Sequence, residues 1–216
     1  PPPPPPPTRF FFTTKTSYEI ALGVVGSEMC IRDRSCIAHS IRSAVRIATE
    51  LGYEKKEWED AYSKLATVIR TNPDAFAPKK RWAMDWYYPV LTGVITGESG
   101  KRHLAEKNEI FEMEGKGIRC VSDRPWITTA ETCECAIAYQ SVGETQHAIS
   151  LFNQIREYRN EKGQYLTGMV YPELVSFPEE EYSTYSAAAV ILAADSLMGI
   201  TEASQLFSNH NFLEEF

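Results

Sequence analysis

Nowhere in the 216 residues is there an unbroken run of about 18 apolar side chains, the least a bilayer-spanning helix needs. Basic residues are in deficit, 22 Lys and Arg against 29 Asp and Glu, for a formal net charge of −7. That sign argues against nucleic acid and against anionic membranes as partners. Cysteines number five and histidines four, and neither H-E-x-x-H nor C-x-x-C occurs, so no metal site is expected. A phosphate-cradling glycine loop and a G-x-S-x-G elbow are also missing, and no cofactor is expected. Cys133 and Cys135 stand two apart in a helical stretch and point to different faces. Reduced, mostly buried thiols and a cytoplasmic location follow as expectations.

The first 34 residues differ from the rest. Residues 1–7 are all proline, and KTSYEI at 15–20 followed by VGSEMCIRDR at 25–34 resembles the translation of a sequencing adapter. Residues 1–34 are therefore set aside as artefactual or disordered. That leaves a domain over 35–200 with an irregular tail over 201–216, and a net charge from residue 35 onward of about −8.

Hydrophobic spacing then predicts helices in pairs. Ser35 suits an N-cap for a helix over 37–51, and a second helix follows after a short turn and stops before Asn72 and Pro73. Residues 87–96, 130–141 and 180–198 are apolar almost all round, whereas 99–113 and 144–158 are amphipathic. Apolar helices thus start near 37, 87, 130 and 182, and each of the first three is followed across a tight turn by an amphipathic partner. A period of about 43 to 52 residues with two helices per unit predicts an all-α partial toroid of about three and a half hairpins, inner helices sheathed by outer ones.

The turns from inner to outer helices are short, and the returning loops are long. All long loops must then lie at one rim, where the inner helices begin and their free N–H groups point. The first loop supplies Trp82, Asp85, Trp86 and Tyr87. The central stretch 117–134, GIRCVSDRPWITTAETCE, supplies Asp123, Arg124, Trp126 and Glu131, and the third loop supplies Tyr171 and Glu173. Aromatics beside carboxylates suit sugar rings. Two carboxyl groups also suit glycosidic hydrolysis, with inversion at separations of about 6.5–9.5 Å and retention near about 5 Å. Aromatic faces equally suit a terpenoid cation. Asp85, Asp123 and Glu131 are the candidate catalytic acids, Asp123 as base and Glu131 as acid. Trp82, Trp86, Tyr87, Arg124, Trp126, Tyr171 and Glu173 are the candidate substrate contacts. Structural roles compete: Asp85 as a cap, Asp123 in an ion pair or Asx-turn, Thr128 and Glu131 as a capping box, His39 as a packed histidine.

MDWYYPVL at 84–91, the central stretch, and 182–197 with its AAAVILAAD run resemble a bacterial family often labelled "prenyltransferase". The resemblance implies an α/α-toroid related in shape to terpenoid cyclases, protein prenyltransferases and six-hairpin glycosidases. It also implies members longer at the N-terminus, so that this chain would be the C-terminal half or slightly more. No D-x-D-D cyclase motif and no zinc triad is present. The leading expectation is a carbohydrate-active enzyme of six-hairpin glycosidase type with a small-molecule or glycan substrate. A prenyltransferase- or cyclase-like enzyme acting on an isoprenoid, and a non-catalytic sugar- or partner-binding toroid, are the alternatives.

Overall fold

The computed structural model describes residues 29–208. The structure is all-α in class, with eight α-helices among the described residues and a few very short strands. Helix α1 (Ile31–Glu50) pairs with α2 (Lys56–Thr71), α3 (Met84–Leu91) with α4 (Gly97–Ala105), and α6 (Thr129–Ser141) with α7 (Thr145–Gln154). Between α4 and α6 lie a one-turn helix α5 (Asn108–Phe111) and strands β1 (Glu112–Met113), β2 (Gly117–Ile118) and β3 (Trp126–Thr128). Strands β4 (Gly168–Val170) and β5 (Val175–Phe177) precede the last inner helix, α8 (Thr184–Met198). The inner helices pack in the order α1, α3, α6, α8, with α2, α4 and α7 outside, which is the arc of a partial α/α toroid.

Local chemistry sets these elements. Small residues on α6 (Thr129, Ala130, Thr132, Cys133, Cys135, Ala136, Ala138) are all buried and let α3, α7 and α8 approach closely. Around it Ile137, Leu151 and Ile155 are almost wholly enclosed, each burial contributing about 1.5–3 kcal/mol. A smaller cluster of Ala38, Ala66, Ile69, Phe76 and Val94 joins α1 and α2 to the turn after α3. Helix α8 ends where Gly199 adopts φ +63° and donates its N–H to the Asp195 carbonyl.

Several boundaries differ from the periodicity. Helix α1 starts at Ile31, six residues before the expected start, and the Ser35 hydroxyl donates to the Ile31 carbonyl inside the helix instead of capping it. The first turn of α1 therefore lies in the adapter-like block; residues 1–28 lie outside the described residues. Helix α3 stops at Leu91, before Gly93 at φ +70°. The stretch expected as one helix over 99–113 divides into α4, α5 and β1. In the tail only Glu202–Gln205 forms a 3-10 turn, and 209–216 lie outside the described residues.

Candidate active site

The three long loops are laced together at the rim where α3, α6 and α8 begin. Trp82 bridges to Val121, the Ala83 N–H donates to the Cys120 carbonyl, and the Ser122 N–H donates to the Arg81 carbonyl, joining the first loop to the central one. Strand β3 pairs antiparallel with β4 and β4 with β5, joining the central loop to the third. The Thr129 N–H donates to the Thr167 carbonyl, and the Thr167 N–H to the Glu181 carbonyl.

On this rim the first two turns of α6 carry Glu131 and Glu134, one turn apart and so on neighbouring positions of one face. The Thr128 hydroxyl donates to Glu131 Oε2. No side-chain cap bond to the helix N-terminus forms at Thr128, so the capping box does not close in its usual reciprocal form. Glu134 is gripped from two other inner helices: the Tyr87 hydroxyl of α3 donates to Oε2 at 2.5 Å and the Tyr185 hydroxyl of α8 to Oε1 at 2.6 Å.

Burial is the main cause that raises the Glu131 pKa above the ordinary carboxylate value; the Thr128 hydroxyl opposes it and the Glu134 charge adds to it. Burial also raises Glu134, against the hydroxyls of Tyr185, Tyr87 and Tyr88. Burial and the Glu134 charge push the Tyr87 and Tyr185 phenols well up, so both remain neutral donors. The arrangement sets two buried carboxyl groups, both with raised pKa values, side by side, one accepting from Thr128 and the other from two phenols.

Asp85 sits in the first turn of α3 instead of capping it; burial raises its pKa, while Cys30 and Arg32 of the adapter-like block pull it down. Asp123 is exposed on the solvent side of the rim and accepts from Arg81 Nε at 2.9 Å, so its partner is Arg81 and not the adjacent Arg124. Arg124 and Glu173 are exposed. Trp82 is 47% exposed, with the Arg81 guanidinium over its ring at 5.4 Å. Trp126 is partly exposed and stacks on Phe177.

Two expected contacts point elsewhere. Trp86 is enclosed between inner and outer layers, stacked on Phe111 and donating its indole N–H to the His103 carbonyl. Tyr171 is buried with its hydroxyl against that of Tyr158, and Lys116 lies over its ring. His39 is packed between the Thr92 carbonyl and the Phe207 ring. Glu134, Tyr185 and Phe177 were not singled out from the sequence. Their only local signal was the i, i+3 spacing of Glu134 from Glu131, because the partners that define the site come from 47 and 51 residues away.

A groove of about 650 Å³ lies away from this cluster, lined by Tyr62, Arg70, Ser99, Arg102 and Glu106 among others. None of the rim carboxylates lines it. The buried carboxyl pair and its phenolic donors lie at the rim, outside that groove.

Fold and cluster together describe a protein of helical hairpins with a carboxyl pair at the rim where its inner helices begin. No family model matches the chain. Over 171 residues, 79% of its length, it is 42% identical to the MMP endo-(1,4)-3-O-methyl-alpha-D-mannosidase of Mycolicibacterium hassiacum, and the match covers 47% of that relative. The chain thus spans about half the length of the curated relative it matches. Among the described residues no helix is long and apolar enough to cross a membrane.

Proposed function

We propose that the chain is part of a glycoside hydrolase acting within α-1,4-linked mannosides, with Glu131 as the general acid. The observation that carries the proposal is the pairing of Glu131 with Glu134 on one face of α6. Glu131 is biased towards its protonated form by burial and by the neighbouring charge, as an acid that protonates a glycosidic oxygen must be. Glu134, fixed by hydrogen bonds from Tyr87 and Tyr185, is the neighbour whose negative charge favours a proton on Glu131. Asp123, on the open side of the same rim and paired with Arg81, is the proposed base that activates water. Asp85 supplies a third acid. The relative's activity on a 3-O-methylated α-mannoside supports this choice of substrate class.

The test is a parallel incubation of the chain with α-1,4-linked 3-O-methylmannose oligosaccharides and with prenyl diphosphates, following reducing ends and diphosphate. Reducing ends released from the oligosaccharide alone are the expected result. Diphosphate released with no cleavage of any glycan would overturn the proposal.

A further inference from the structure

The sheet β3–β4–β5 has two unlike faces. Its register sets Trp126 opposite Val170 and Val170 opposite Val175, and Thr128 opposite Gly168 and Gly168 opposite Phe177. Opposed residues share a face and successive residues alternate, so Trp126, Thr128, Val170, Val175 and Phe177 lie on one side and Ile127, Met169 and Ser176 on the other. The second side is the inner one: Ile127 is fully buried and Met169 packs on the main core.

On an outward face of an antiparallel sheet the alternation ordinarily places polar side chains. Here it places a tryptophan, a phenylalanine and two valines. Trp126 and Phe177 stack with centroids 4.8 Å apart and planes 22° from parallel, both partly exposed. Val175 is 56% exposed, and Leu174 at the hairpin tip is 65% exposed. Gly168 keeps the middle of the face flat, since a Cβ there would stand 3.2 Å from Thr128 Cγ2 and 2.7 Å from the Ile127 carbonyl oxygen. Thr128, the one hydroxyl on this face, is already committed to Glu131. The apolar surface therefore adjoins the proposed acid.

We infer that this face is the subsite that grips a sugar residue beside Glu131, and that it selects a ring bearing an O-methyl group over the same ring with a free hydroxyl. The inference rests on the proposal that the rim takes a glycan. A free hydroxyl laid on Val175 and Phe177 loses its water and meets no donor or acceptor from their side chains, whereas a methyl ether gains buried apolar area.

The experiment is calorimetric titration of the E131Q chain, which binds without cleaving, with 3-O-methylated and with unmethylated α-1,4-mannotetraose. The methylated sugar is expected to bind about tenfold more tightly, the scale of one methyl group in an apolar site. V175T, which keeps the side-chain shape at an exposed position, is expected to shrink that preference severalfold, and F177A to bring it close to unity with the circular-dichroism melt confirming a folded chain. Equal affinity for the two sugars, or a preference unchanged in both variants, overturns the inference. Cleavage by the wild-type chain without a methyl preference defeats the subsite and leaves the hydrolase standing. A methyl preference without any cleavage does the reverse, and binding of neither sugar defeats both.

Discussion

The hydroxyl of Tyr87 on α3 reaches Glu134 Oε2 on α6 at 2.5 Å, linking two inner helices through a residue that is wholly enclosed. A hydrogen bond to a charged acceptor in such a place contributes about 1.5–3 kcal/mol. Tyr87→Phe should cost that amount in urea denaturation, and Tyr185→Phe, on a half-exposed side chain, clearly less. Equal costs for the two would show that enclosure does not set the strength of the grip.

The pH dependence of stability has a definite sign. Glu131 and Glu134 have folded pKa values raised above the ordinary 4.5, so above that pH the folded chain binds more protons than the unfolded one and these groups withdraw stability as pH rises. The loss begins near 4.5 and is complete above their folded values. Glu131→Gln should therefore flatten the fall of stability with rising pH relative to wild type. A wild-type and E131Q difference that stays constant from pH 4 to 8 would contradict the raised value.

Gly117 adopts φ +130°, and a Cβ there would stand 2.7 Å from Thr132 Oγ1 and 2.9 Å from Ile127 Cγ2. Thr132 uses that oxygen to accept from the Ile118 N–H at 2.9 Å. Gly117→Ala should thus destabilise by about 1–3 kcal/mol through overpacking. A thermal midpoint equal to wild type would show that the central loop yields without cost.

The last inner helix is apolar but not enclosed. Ile191 is 68% and Met198 67% exposed, and Ile200 just beyond is 67% exposed, together giving the end of the arc an apolar edge. Concentration-dependent association on size-exclusion chromatography is expected, reduced by Ile191→Glu. A monodisperse monomer across the concentration range would count against it.

Much of the architecture was legible because burial on all sides leaves a periodicity-independent mark. The Ala- and Cys-rich run of α6 reads as an inner helix, and the long returning loops place the rim, where the Trp82–Val121 bridge and the β3–β4 pairing join them. The strands were invisible, since segments of two or three residues carry no period. The site was legible only in part. Glu131 sits at a helix start and reads as a cap or an acid, but Glu134 gains its meaning from tyrosines on separate hairpins. Trp86, read from its position beside Asp85, turns into the layer between helices because its indole N–H finds the His103 carbonyl there.

The most direct measurement is the initial rate of reducing-end release from α-1,4-linked 3-O-methylmannose oligosaccharide by the wild-type chain and by E131Q, with thermal midpoints taken in parallel. General acid catalysis by Glu131 predicts a fall of about 100-fold or more in E131Q with an intact melt. Equal rates for the two proteins would contradict it.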